Sequence, residues 1–410
     1  MTNNQPQPTT HSLKWWVCGL LLLATTLNYM DRLTLNQMAV RLMAELEFGR
    51  DGYGDLEAYF GIAFAVGSLT AGWLVDRLGV YLVYPVMVTL WSLAGFLTGF
   101  ARDYHELLAC RVLLGLFEAA NWPCALKTTQ QILSAPERAM GNGMLQSGTA
   151  IGAVLTPLVV QACLDLGMGW RVPFLVIGGM GAGWVLLWFL VVQPRGLHAA
   201  QPGVAEPMAL GAVLARLVAD RRFWVLVTLV ICINLTWHFF RAWLPLFLRE
   251  VHEYSERTVN YFSTAYYLSA DAGSLLMGFL ALRLASTGLG VHRSRTLVYA
   301  GCAVVALLSL PIAQLSRGPL LLGLLLLLGF AALGLFPIYY SFSQELTAHH
   351  QGKVSGLLGF LNWVAMFFMQ RTVGRYIEGT GDYSLAVALA GIPPMIGLGV
   401  LLLLWRGSSR

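Results

Sequence analysis

Residues 320–328 comprise eight leucines and one glycine, with no polar side chain among them. A helix over such a segment has no face to turn towards water. Comparable runs recur along the whole chain, and 57% of the residues are hydrophobic against 11% charged, too few polar groups to cover a soluble body of this size. Apolar stretches of roughly 20 residues between charge or turn clusters number about twelve, which is the length of helices that cross a hydrocarbon layer ~30 Å thick. The expected fold is an all-α membrane protein of twelve transmembrane helices, with no room for a separate soluble domain.

One long interruption, residues 193–222, carries Pro194, Pro202 and Pro207. It separates a first six-helix bundle (14–192) from a second (223–405) and reads as a linker. Within it Leu210, Val213, Leu214, Leu217 and Val218 fall at helical spacing ahead of Asp220, Arg221 and Arg222, the pattern of an amphipathic helix on a membrane surface. Residues 1–13 are polar and read as a disordered tail, and 406–410 form a second tail. The segment after Lys14 runs into Asn28 and Asp31 without a small-residue cleavage site, so it reads as a retained first helix. The six cysteines stand singly on different segments, which suits packing and neither disulfides nor metal ligation.

With the amino terminus inside, about fourteen Lys and Arg fall on the cytoplasmic side and about nine outside, as the positive-inside bias requires. Both termini are therefore expected in the cytoplasm, with the chain spanning the inner membrane. The net charge of +5 is scattered between spans and forms no stripe that could follow phosphates, which excludes nucleic acid as a partner. No phosphate-cradling glycine loop is present, so ATP does not power the protein. No arrangement of nucleophile and base, paired aspartates or metal ligands indicates an enzyme or a cofactor, and His349-His350 lack a third ligand.

Against this background, charges inside apolar segments stand out, because each costs at least ~2.5–3.5 kcal/mol on insertion scales. Asp31 and Arg32 interrupt the first span, and Arg111 and Glu118 lie in the fourth, expected over 106–132. Seven residues put Arg111 and Glu118 on one helical face, with Asn121 and Trp122 extending it. Glu118 falls about 18 Å deep, near the midplane, where a carboxyl can alternate between protonated and ionised forms. The competing reading is a structural salt bridge inside the bundle. In span one, Asn28, Asp31 and Arg32 share a wall by i+3 and i+4 spacing; here the competing reading is an anchor at the outer helix end. A weak repeat supports two pseudo-symmetric halves: Gly72 and Arg77 after span two recur as Gly278 and Arg283 after span eight, while Asp76 becomes Leu282. Asp76 and Arg77 read as a cytoplasmic gate or, equally, as a topological anchor.

Twelve spans in two halves, with Gly72-x-Leu-x-Asp76-Arg77-x-Gly79 between spans two and three, resemble the major facilitator superfamily over the whole chain. Asn28-Tyr29-x-Asp31-Arg32 and Arg111-x3-Gly115-x2-Glu118-x2-Asn121-Trp122-Pro123 are similar to the anion:cation symporter family, especially its sugar-acid (hexuronate) branch. The resemblance implies that Asp31 pairs with Arg111, that Arg32 holds a substrate carboxylate, and that Asp31, Glu118 and Arg111 couple transport to a proton. It also exposes a departure: Phe64, Ser68 and Thr70 stand where related sugar-acid transporters tend to have tyrosine, glutamine and proline.

In the second half, Asn362, Trp363, Tyr339 and Tyr340 are candidates for hydrogen bonds to substrate hydroxyls, and Asp271 is a candidate third titrating group. Asn234, His238 and Arg241 share a face of span seven, with Arg241 expected to snorkel to the outer surface. The expected activity is proton-coupled symport of a small organic anion by a monomer in the lipid bilayer. Anion exchange and a non-transporting sensor of the same fold are the alternatives; intact acids at the coupling positions favour symport.

Overall fold

The computed structural model describes residues 13–133, 138–192, 218–346 and 351–405. Most of the expected linker, His349-His350 and both tails lie outside the described residues. Every regular element described is helical, as a chain in lipid requires, because a helix satisfies its own backbone hydrogen bonds.

Six passes make up the first half: α1 (Leu13–Glu45), α2 (Arg50–Leu78), α3 (Val80–Thr98), α4 (Tyr104–Glu118) continued by α5 (Asn121–Ile132), α6 (Arg138–Asp165) and α7 (Arg171–Val191). The second half repeats the scheme with α8 (Arg221–Leu246), α9 (Glu256–Leu284), α10 (Val291–Ala306) continued by α11 (Ser309–Ile312), α12 (Pro319–Leu346), α13 (Gln351–Thr380), and α14 (Ser384–Ala390) continued by α15 (Pro393–Leu404). Among the described residues, nine passes are long and apolar enough by composition to cross a membrane. The other three are α1, α2 and α13, which carry Asn28, Asp31, Arg32, Asp76, Arg77 and Asn362. In α1, Thr25, Thr26, Asn28, Asp31, Arg32, Thr34, Asn36 and Gln37 are all buried, so its polarity faces protein.

The fourth pass spans Tyr104–Ile132 and contains one irregular turn. Its helix begins at Tyr104, where Asp103 caps it by accepting from Glu106 N at 2.9 Å and Glu106 Oε2 accepts from Arg102 N at 2.9 Å, a reciprocal capping box. Between Glu118 and Asn121 the regular hydrogen bonding is interrupted for two residues, while Ala119 and Ala120 keep right-handed helical backbone angles, because Pro123 lacks an N–H and its ring crowds the carbonyl four residues earlier. The irregular turn falls beside the residues that carry charge. Gly79, between α2 and α3, has φ of 80°, a conformation that explains the glycine closing that motif.

By contact the chain divides into two units, one comprising 1–47 and 59–204 and the other 48–58 and 205–410. The first turns of α2 thus pack with the second unit. In the first unit α6 meets α1 at Gly148 and Gly152, where an added Cβ would strike Leu22 O, Thr25 and Thr26 O; Gly67 and Gly115 bring α2 and α4 into backbone contact at Leu116 O and Phe60 O. Small residues at crossings are how helices pack closely where lipid removes the hydrophobic drive. The second unit centres on Phe223, Leu226, Tyr299, Leu335, Phe342 and Trp405.

Candidate functional site

In the first unit, α1, α2 and α4 bring together most of the charged candidates. Arg32, 6% exposed, reaches Glu118, which is fully buried. Its Nε and Nη2 both donate to Glu118 Oε2, at 3.1 and 2.9 Å. Asn28 braces the pair: its Oδ1 accepts from Arg32 Nη2 at 3.2 Å, and its Nδ2 donates to the Glu118 carbonyl at 3.5 Å. A guanidinium clasping one carboxylate oxygen through two N–H groups is a carboxylate receptor already occupied from within. The residue on which the resemblance places the substrate is therefore held by the chain's own acid.

Arg111 and Asp31 complete the group. Arg111 lies against Phe60, its guanidinium carbon 4.6 Å from the ring centroid. Asp31 Oδ2 is buried without a hydrogen-bond partner, and both Arg111 and Glu118 are near enough for their charges to act on Asp31. Gly95 on α3 leaves room for this carboxylate; a Cβ there would come within 2.6 Å of Asp31 Oδ1. Phe64, with Phe60 and Tyr29, surrounds the Arg32 guanidinium at 5.0–5.1 Å.

Asn121 stands beyond the irregular turn and is engaged at both ends of its amide. Tyr84 OH donates to its Oδ1 at 2.7 Å, and its Nδ2 donates to Thr25 Oγ1 at 3.2 Å. These bonds tie α5 to α3 and α1; Trp122 is half-buried. Arg77 is exposed at the end of α2, and the Asp76 side chain lies outside the described residues.

The second unit holds a cluster that the sequence reading missed. Arg241, expected to snorkel, is 3% exposed, and its Nη2 lies 2.5 Å from Oε2 of Glu57, itself 2% exposed. The snorkelling expectation fails because α8 continues past Arg241 into a π-helical turn, Phe247–Val251, leaving the arginine well inside the helix. Arg241 Nε also donates to His238 Nδ1 at 3.2 Å, and the His238 ring meets Trp363 edge-on at 5.0 Å. Asn362, beside Trp363, keeps a buried Oδ1 without a hydrogen-bond partner. Asn234 donates to Val230 O at 2.8 Å within its own helix. Tyr339 packs in the apolar core, whereas Tyr340 is half exposed. Asp271 is half-buried on α9. Glu57 gave little signal in the sequence, since it stands among Arg50, Asp51 and Asp55 at the start of α2. All six cysteines are free, five of them buried, and no metal-ligand group occurs among the described residues.

Comparison with known proteins places this geometry in context. The profile of the Major Facilitator Superfamily matches residues 21–369. A hexuronate transporter of Escherichia coli (strain K12) is 27% identical over 397 residues, covering 92% of this chain and 91% of the relative. A probable L-galactonate transporter of the same strain is 26% identical, over 91% and 85% of the two chains. Among solved structures, an inward-facing, unoccupied bacterial homologue of the human lysosomal transporter Spinster superposes with a TM-score of 0.76 at 17% identity, covering 97% of this chain and 95% of that one.

Proposed function

Because the chain belongs to the major facilitator superfamily, and is accordingly a multi-pass membrane transporter and no enzyme, we propose that it imports a small sugar acid together with a proton by alternating access. The observation that carries this reading is the double hydrogen bond from Arg32 to Glu118 Oε2. A substrate carboxylate and the Glu118 carboxylate compete for one guanidinium. Protonation of Glu118 removes its charge and frees Arg32, so proton and anion load together; reorientation and release of the proton inside return Glu118 to Arg32 and expel the anion. Asp31, beside Arg111, sets the charge balance of the exchange. The relatives named as hexuronate and L-galactonate transporters support a sugar acid as cargo. Asn362, Trp363, Asn234, His238 and Asp271 of the second unit are proposed as further substrate-binding candidates.

The distribution of Lys and Arg supports cytoplasmic termini, a cytoplasmic 193–222 linker, and Asp76 and Arg77 at the inner surface. The deciding experiment is uptake into proteoliposomes with and without an imposed pH gradient, comparing the native protein with Glu118→Gln. The variant mimics the protonated acid, so it should lose gradient-driven accumulation while keeping counterflow. Native-like accumulation by Glu118→Gln would remove the proton role from this residue, and indifference of the native protein to the gradient would favour anion exchange.

A further inference from the structure

The last pass of the second unit is interrupted where it meets its neighbours. α14 stops at Ala390 and α15 begins at Pro393, since Pro393 and Pro394 supply no N–H to continue the ladder. The carbonyls freed there turn towards protein: Ala390 O accepts from Thr236 Oγ1 at 2.7 Å and Ala388 O from Ser309 Oγ at 2.8 Å. Gly391 lets the same stretch press on α10 and α11, where an added Cβ would strike Ala306 O and Ser309. On its other side a cavity of about 260 Å³ remains, lined by Leu235 and Phe239 of α8, Met369 and Val373 of α13, and Leu389 and Pro393 of the last pass. Thr372 and Tyr376 bring the only hydroxyls to its lining, and neither has a hydrogen-bond partner among the described residues. Water does not fill such a space, because it needs several polar partners and apolar cavities stay dry. Leu385 and Leu389 line the cavity and are also 48% and 51% exposed, on a segment apolar enough to cross a membrane. Its mouth therefore meets hydrocarbon.

The cavity also has a polar end. α8 and α13, the seventh and eleventh passes, run in one direction and the twelfth returns, so Phe239, Tyr376 and Leu385 stand towards the α13–α14 turn and Leu235, Met369 and Pro393 lie deeper. Arg375, next to Tyr376 and i+3 from Thr372, is exposed and has no ion-pair or hydrogen-bond partner among the described residues. Its charged neighbours are committed: Arg371 to Asp55 at 2.6 Å, Glu378 to Arg50 N at 2.6 Å and Asp382 to Ser384 N at 2.7 Å. We propose that this is a lipid site: an anionic glycerophospholipid places one acyl chain in the cavity, its ester against the Thr372 and Tyr376 hydroxyls and its phosphate on Arg375. The chain gives little preference by itself, because it leaves one apolar surrounding for another. The head group supplies the selectivity, about fivefold for one arginine near the membrane surface. The bound lipid braces the interrupted last pass against α8 and α13.

The experiment places the purified full-length protein in phosphatidylcholine nanodiscs with a trace of phosphatidylglycerol or phosphatidylcholine carrying one photoreactive acyl chain, and maps the labelled peptides. Phosphatidylglycerol should label the cavity residues of α13, α14 and α15 about fivefold more than phosphatidylcholine does. Arg375→Gln, a change at an exposed position, should bring the two lipids to equal labelling there, and Arg375→Lys should restore the preference, since an ammonium also binds phosphate. Ala386→Phe, which adds a ring to the lining, should suppress labelling there by both lipids and leave labelling of α3 unchanged. Equal labelling of the native protein by the two lipids, spread over all lipid-facing helices, would overturn the proposal and make this an annular surface. A preference that survives Arg375→Gln, or cavity labelling that survives Ala386→Phe, would overturn it as well.

Discussion

The two units treat buried charge differently. In the second, one acid and one base meet at 2.5 Å, Glu57 with Arg241, and His238 takes a further N–H of the same guanidinium. In the first, two acids and two bases are gathered, yet the Arg32–Glu118 pair lies next to an Asp31 oxygen with no hydrogen-bond partner and an Arg111 resting on a phenyl ring. Arg241 also keeps one guanidinium nitrogen, Nη1, buried without a hydrogen-bond partner, whereas in the first unit an atom left over belongs to an acid. A cluster with a buried acceptor left over gains from an incoming proton or ligand, since each buried polar atom without a partner costs about 1–3 kcal/mol. The contrast separates charge that fastens the fold from charge that is available for work.

The largest effect expected from this contrast is on folding. Arg241→Ala leaves Glu57 buried without its counter-charge and should destabilise the protein by about 3–5 kcal/mol, whereas replacing both residues with apolar side chains of similar volume should be near neutral. Thermal unfolding in detergent measures both. A single variant as stable as the native protein would dissolve the distinction between the units, because Glu57–Arg241 would then not be a structural pair.

Arg32→Ala, by contrast, should act on binding. Removing the guanidinium clasped to Glu118 should weaken anion binding by about 2–5 kcal/mol, and Arg32→Lys should fail to restore it, since an ammonium cannot reproduce the paired N–H geometry. Calorimetric titration with a sugar acid gives the answer. Undiminished affinity in Arg32→Ala would return the first-unit cluster to a structural role.

How far these regions could be read from sequence follows the same division. Nine of the twelve passes were legible from apolar length, a composition property, whereas α1, α2 and α13 fall short of it. Asp31, Arg32, Arg111 and Glu118 were legible because each interrupts an apolar run. The partner of each was not, since pairing depends on rotamers and helix crossings: the resemblance implied a link between Asp31 and Arg111 and a substrate on Arg32, while in the structure Arg32 clasps Glu118. Asn121 was legible as a polar residue beyond Glu118, but its hydrogen bonds with Tyr84 and Thr25 were not. Glu57 escaped because it lies among Arg50, Asp51 and Asp55 at a helix start, where charge ordinarily meets water.

Gly115 sharpens the comparison at the level of packing. It sets Phe60, the ring shared by Arg32 and Arg111, against α4, and any Cβ there meets the Phe60 carbonyl. Backbone cannot step aside as a side chain can, so Gly115→Ala should cost about 1–3 kcal/mol of stability and should weaken anion binding as the enclosure shifts. Gly19→Ala, with nothing within 4 Å of the added carbon, is the control and should leave both unchanged. Equal behaviour of the two variants would show that the α2–α4 contact does not position the site.

The smallest effect lies at the water-exposed end of α1, where charge is neither trapped nor spare. Glu45, the last residue of α1, takes hydrogen bonds from Arg171 and, at 2.6 Å, from Trp170 Nε1. The Arg171 bond is the main cause that holds its carboxyl below the ordinary value, with the Trp170 bond adding to it and slight burial opposing. A carboxyl whose folded-state value is depressed contributes its full stability above the unfolded-state value, about pH 4.3, and loses it as pH falls through the folded-state value. Because both side chains are more than a third exposed, at 49% for Glu45 and 40% for Arg171, water and salt screen the pair and its worth is about 0.2–1 kcal/mol. Glu45→Gln should therefore lower the melting temperature slightly at pH 7, and the difference from the native protein should shrink as pH falls below about 4.3 and in molar salt. A difference that persists unchanged in acid would mean that Glu45 acts through packing against Trp170, and the charge at this end of the helix would then contribute nothing to the fold.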